Sequence, residues 1–155
     1  MKKYFNLFYS FLLIVLFYGQ SGFSIENSLN NFETDGCTLF IEGPAKTPTL
    51  WRHCCTLHDM RYWFGGSLAD RDTADLRLRD CVKDVSTPFW AELIYQGVKL
   101  GHSSPVKNKT HWSWGWKNER KNSELSPEES HYVLEELRRL PLDHQLIEHF
   151  IQRNF

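Results

Sequence analysis

"HCCTLHDMRYWFGG", residues 53–66, sets two adjacent cysteines three residues ahead of a His-Asp pair. Thr47-Pro48 upstream reads as a helix cap followed by proline at the first helical position. Apolar and aromatic residues run on to Phe64, where Gly65-Gly66 supplies a stop. The stretch therefore predicts one helix. At about 100° per residue, with Cys54 as zero, His58 falls near ~40°, Trp51 ~60°, Tyr62 ~80°, Cys55 ~100° and Asp59 ~140°. All six share one side, so the crosslinking residues anchor the face that carries the titratable pair.

A second helix is expected from about Ser67 to Val85. Leu68, Asp75, Leu78 and Val82 form one stripe on it, with Asp75 as a carboxylate in an otherwise apolar face. A buried carboxylate is costly without a hydrogen-bond or charge partner. The Gly65-Gly66 turn is short, so the two helices should pack antiparallel. If Cys54 is bonded to Cys81, His58 lies roughly 6 Å from that bond along one helix and Asp75 roughly 9 Å along the other, in the same direction. The difference is within side-chain reach. His58 and Asp75 then form a pair in which the acid holds one imidazole nitrogen and the other takes a proton from water. Tyr62, one turn beyond His58, can also donate to Asp75. No cysteine is spare and no serine sits in a nucleophile elbow, so the base would act on water directly.

The chain around this core has 155 residues, 41% hydrophobic and 15% aromatic, which suits a globular protein and excludes a disordered tail. Met1-Lys2-Lys3, the apolar run Tyr4–Tyr18 and the small, polar Gly19–Ser24 read as a secretory signal peptide over residues 1–24. The protein is accordingly expected to be exported, secreted or periplasmic, with a domain over 25–155. Without Lys2 and Lys3, 16 of the 18 basic residues face 19 acidic ones, a net charge of −3. That gives no footprint for nucleic acid. Export also implies an oxidising compartment. A bond between neighbours Cys54 and Cys55 would be strained within a helix. Cys37 and Cys81 are each expected to take one of the two.

Thr87-Pro88 starts a third helix that ends near Gly101; its Phe89, Trp90, Leu93, Ile94 and Val98 suggest core. Residues 102–125 read as loop around "HWSWGW", whose Trp112, Trp114 and Trp116 suit either a lipid interface or packing over the helices. Ser126-Pro127-Glu128-Glu129 is a capping box opening a helix to about Leu140, and Asp143 caps a last short helix. No alternating strand pattern occurs, so the expected fold is mainly α, with a core over 35–103 and a helical extension over 104–155.

Asp59 points about 100° away from His58 and need not share its partner. A carboxylate beside a loop of backbone carbonyls is a natural calcium ligand. "GCTLFIEG", Gly36–Gly43, is tied back by Cys37 and is the candidate loop. Calcium there would polarise a substrate carbonyl and hold the developing oxyanion.

With these residues assembled, the chain resembles the secreted phospholipase A2 superfamily, in a bacterial-type form. The resemblance rests on "CCTLHDMRY", Cys54–Tyr62, and on Asp75 six residues before Cys81, within a wider frame of "DGC", "YW.GG" and "AD..L..CV" over residues 35–82. It implies a small disulfide-bonded fold with two antiparallel core helices and a calcium loop. It implies disulfides Cys37–Cys55 and Cys54–Cys81. It also implies His58 as the base that activates water, Asp75 and Tyr62 as its orienting partners, and Asp59 as the calcium carboxylate. The implied reaction is calcium-dependent hydrolysis of the sn-2 ester of glycerophospholipids at a membrane or micelle surface. The usual loop, however, is glycine-rich. Here Cys37 is followed by Thr38, Leu39 and Phe40, and the next glycine is Gly43. Thr38, Phe40 and Gly43 are the expected carbonyl ligands. Arg61 also stands where animal members often have a cysteine, leaving more of the stability to packing. The altered loop admits a second expectation, a binding module for lipid or protein that kept the scaffold without the chemistry.

Overall fold

The computed structural model describes residues 27–102 and 109–155. Among them are five helices: α1 Arg52–Phe64, α2 Leu68–Val85, α3 Pro88–Gly101, α4 Pro127–Arg138 and α5 His144–Asn154. Among the described residues, β-pairing is limited to an isolated antiparallel bridge between Leu29 and Trp116. The protein is thus a small, mainly helical chain with two disulfides, Cys37–Cys55 and Cys54–Cys81. The signal-peptide reading of residues 1–24 lies outside the described residues. No helix among them is long and apolar enough to cross a membrane.

Most helix boundaries follow from local chemistry. Ser67 accepts a hydrogen bond from the Asp70 amide while the Asp70 carboxylate accepts from the Ser67 amide, a reciprocal cap on α2. Ser126 and Glu129 do the same for α4, and Asp143 caps α5 through the Leu146 amide. The start of α1 differs from expectation. The helix begins at Arg52, and Thr47–Leu50 form turns instead. Trp51 explains the delay: its amide donates to the Glu42 carbonyl at 2.9 Å and its indole to the Ile41 carbonyl at 2.8 Å. A backbone N–H committed to a loop cannot continue a helical ladder.

Helix α1 is buried on two sides, which is why it lacks a strong apolar stripe. Cys54 and Cys55 pack with Leu78 and Val82 of α2 and with Ala91 and Ile94 of α3. Its opposite side, Met60, Trp63 and Phe64, packs with Val133 and Leu137 of α4 and Ile147, Phe150 and Ile151 of α5. The C-terminal helices therefore complete the core around α1. The tryptophan loop joins it: the Trp112 indole donates to the Gly66 carbonyl and the Trp116 indole to the Phe64 carbonyl. Both rings are buried, so packing, not a lipid interface, accounts for them.

The turn between α1 and α2 depends on glycine. Gly65 has φ +66°, and a Cβ there would sit 1.7 Å from Ser113 Oγ. Arg61 braces this turn. Its buried guanidinium donates to the Gly65 carbonyl, pairs with Asp70 at 3.1 Å, and lies over the Phe64 and Trp112 rings. Where the resemblance would place another crosslink, this chain has a buried cation held by two rings and a carboxylate.

Helix α3 is only partly core. Ala91 and Ile94 are buried, whereas Phe89, Leu93 and Leu100 are exposed. The expectation of core for Phe89 and Leu93 fails because α3 turns its Ala91–Ile94 side to α2 and the start of α1, while Phe89 and Leu93 lie on the other side and stay exposed.

Candidate active site

His58 and Asp75 meet across the α1–α2 interface, with His58 Nε2 2.9 Å from Asp75 Oδ1. The Cys54–Cys81 bond lies one turn of α1 away and fixes the register of the two helices. Tyr62 follows His58 by one turn, its ring centroid 4.2 Å from that of the imidazole at a 35° tilt, and its hydroxyl donates to the same Asp75 oxygen at 2.8 Å. A carboxylate oxygen offers only lone pairs. His58 Nε2 must therefore carry the proton of their hydrogen bond, which leaves Nδ1 as the basic nitrogen.

Asp75 is 1% exposed, yet it is tuned to stay ionised. Burial pushes its carboxyl up, but the hydrogen bonds and positive charge offered by His58, then Tyr62 and His102, outweigh burial and hold it below the usual carboxylate range. Burial and the adjacent carboxylate push the Tyr62 phenol far up, so it remains a proton donor.

A third residue, His102, joins the pair from a segment that the sequence pattern assigns to loop. It lies just past α3 and brings Nε2 to 2.8 Å from Asp75 Oδ2 and 3.0 Å from the Tyr62 hydroxyl. A signal for it existed. Ile94, Val98 and His102 recur every four residues along one face, but ending the third helix at Gly101 hid the last of them.

His58 and Asp59 open onto one cavity of about 430 Å³. It is walled by the loop Gly36–Phe40, by Tyr62 and Leu78, and by the Ile94, Gly97, Val98 and Gly101 side of α3. The lining is mostly aliphatic and aromatic around a few polar groups, the usual character of a small-molecule site. Cys37–Cys55 ties the loop to α1 next to Asp59.

Asp59 has a different environment from Asp75. Its Oδ2 accepts from Thr34 Oγ1 at 2.6 Å, and Thr38 Oγ1 donates to the neighbouring Asp35 at 2.6 Å. Burial pushes the Asp59 carboxyl up to about 7, with the Thr34 hydrogen bond opposing and the Asp35 charge assisting. Among the described residues no lysine or arginine pairs with Asp59 or Asp35. Asp59 and the nearby Asp35 are hard oxygen donors of the kind calcium takes, and Lys109, on the wall of the same cavity, is engaged by Glu33 rather than by Asp59. The expected carbonyl residues are divided by the fold. Thr38 and Phe40 line the cavity with Asp59. Gly43 does not; it is buried under the next turn, where a Cβ would meet the Thr47 carbonyl at 1.9 Å. Its glycine serves that close approach.

No family model, no curated protein and no solved structure matches the chain.

Proposed function

We propose that this protein is a calcium-dependent hydrolase of the phospholipase A2 type, cleaving the sn-2 ester of glycerophospholipids to a fatty acid and a lysophospholipid. The observation that carries the reading is the His58–Asp75 pair at 2.9 Å, with Asp75 buried behind His58 and His58 on the wall of the cavity that Asp59 and the Gly36–Phe40 loop share. His58 Nδ1 takes a proton from water as the water oxygen bonds to the ester carbonyl carbon. The same nitrogen returns the proton to the glycerol oxygen as the carbon–oxygen bond breaks. Asp75 holds the ring in the required tautomer and offsets the imidazolium charge that forms in between. Tyr62 keeps the Asp75 oxygen aligned. Asp59 and the carbonyls of Thr38 and Phe40 are the groups that would hold calcium, which when bound supplies positive charge for the ester carbonyl and the oxyanion.

The surface beside the cavity supports a lipid aggregate as partner. Leu39, on the cavity's loop wall, is fully exposed, and Ile41 next to it is about half so. Phe89, Leu93 and Leu100 share a stripe of α3 adjacent to its cavity-lining side, and all three are exposed. Apolar surface gathered beside a pocket favours a water–lipid boundary or another apolar partner.

The test uses mixed phospholipid vesicles carrying a labelled acyl chain at either the sn-1 or the sn-2 position. Release of the sn-2 label alone, stopped by a calcium chelator and restored by added calcium, is expected. Chelator-resistant release, release of the sn-1 label, or vesicle binding without release would overturn the proposal, the last in favour of the binding-module reading.

A further inference from the structure

The catalytic reading uses one oxygen of Asp75, and the other has an unexplained neighbour. Oδ2 is buried, and no hydrogen bond of ordinary alignment reaches it. His102 Nε2 nevertheless stands 2.8 Å away. The Tyr62 hydroxyl proton is already committed to Oδ1. A bare Nε2 would set its lone pair against those of the carboxylate and leave Oδ2 without any donor. A protonated Nε2 removes the lone-pair clash and sets an N–H, off line but at 2.8 Å, beside Oδ2, while also contacting the Tyr62 oxygen at 3.0 Å. Burial, partly offset by the Asp75 charge and with Arg71 acting alongside burial, holds His102 below the ordinary imidazole range. At pH 8 the ring is therefore neutral, and the Asp75 carboxylate beside Nε2 favours the tautomer with the proton on that nitrogen. Asp72 is the remaining charged group in the cluster; its carboxylate, Asp75 and His102 Nε2 lie within 4.8 Å of one another.

We infer that His102 is a positioning residue for the His58–Asp75 pair, gripping the second Asp75 oxygen through an Nε2–H donor so that the carboxylate cannot turn away from His58. As a statement about turnover this rests on the hydrolase reading above; as a statement about the hydrogen bond it does not. A carboxylate held from one side can rotate about its Cβ–Cγ bond. Held on Oδ1 by His58 and Tyr62 and on Oδ2 by His102, it has one orientation, and so has the His58 ring. The three residues come from α1 and from the end of α3, so the grip also ties the cavity's two walls to α2.

The experiment has two arms on the full chain. The first is nitrogen-15 NMR of the histidine rings at pH 8, which needs no substrate. His102 should show a proton on Nε2 and a bare Nδ1; a bare Nε2 would overturn the inference. The second compares His102→Phe and His102→Gln on phospholipid micelles with calcium. The Phe variant should lose about tenfold in kcat with KM within about twofold, the scale of one charge-assisted hydrogen bond. The Gln variant, whose amide N–H can reach the same oxygen, should recover most of the loss. Unchanged kcat in His102→Phe, or a Gln variant as slow as Phe, would overturn the role. If the wild-type chain hydrolyses nothing, the hydrolase reading fails by itself, and the NMR result alone decides whether His102 grips Asp75.

Discussion

Replacing Asp59 with asparagine should make the metal-free protein more stable, and increasingly so as pH rises. The carboxyl is pushed from an ordinary 3.8 up to about 7, chiefly by burial. In the unfolded chain it ionises near 3.8, so between roughly pH 4 and pH 7 the unfolded state has released a proton that the folded state retains. Stability contributed by this group is full below the unfolded value, falls through that window, and is flat above it. Each pH unit inside the window is worth about 1.4 kcal/mol. From pH 5 to pH 7 the wild type should therefore lose about 2 kcal/mol relative to Asp59→Asn, and little more by pH 8. Asparagine keeps an oxygen for the Thr34 hydroxyl, so that 2.6 Å hydrogen bond survives and the difference isolates the charge. The assay is urea unfolding of both proteins in chelator at pH 5, 6, 7 and 8. Calcium added at pH 7 should stabilise the wild type and not the variant, because a ligand that binds only the folded state adds to its stability. A stability difference that stays constant with pH would refute the reasoning about Asp59. An equal response of both proteins to calcium would refute its role as ligand.

Three other outcomes follow from the packing and the surface. Changing Cys54 and Cys81 together to serine should cost roughly 2–4 kcal/mol in urea unfolding and more than tenfold in lipid hydrolysis, because the crosslink sets the α1–α2 register. Loss of stability with undiminished hydrolysis would show that packing alone aligns His58 with Asp75. Leu137→Ala, at a fully buried position of α4 against α1, should cost about 2–5 kcal/mol by the same measurement. A cost near zero would mean the C-terminal helices do not share the core. Exchanging Phe89 and Leu100 for serine should weaken sedimentation with phospholipid vesicles while leaving hydrolysis of a soluble short-chain ester unchanged; equal sedimentation would remove α3 from the lipid-facing surface.

How much of this was legible in the sequence depended on whether a residue's role was local. The His58–Asp75 contact was readable because it needs only helical periodicity, a short glycine turn and one crosslink. An acid in the apolar stripe of α2 then had to find a partner opposite. The caps at Ser126 and Asp143 were readable for the same reason. The start of α1 was not, since Thr47-Pro48 is a good local cap and only the distant carbonyls of Ile41 and Glu42 divert Trp51. Gly43 was grouped with the loop carbonyls by proximity in sequence, but its place is fixed by the Thr47 carbonyl pressing on it. Phe89 and Leu93 look like core from composition, but they lie on the side of α3 turned away from α2 and the start of α1, and stay exposed. His102 was lost to a boundary: one more helical step puts it on the Ile94–Val98 face, while a stop at Gly101 turns it into an anonymous loop residue. The Arg61 brace was invisible for a further reason. A buried guanidinium needs two rings and an acid at once, and Trp112 is 51 residues away in the chain.

The central claim is that His58 removes the proton from water with Asp75 behind it. Its most direct test is fatty-acid release by His58→Gln beside the wild type, on the same vesicles with calcium, after urea unfolding has established equal stability. The glutamine amide can still donate to Asp75 but has no basic nitrogen to offer water. Release should fall to the level of the buffer blank while fold and calcium binding persist. Turnover in the folded variant within tenfold of wild type would contradict the account, since the base would then be some other group.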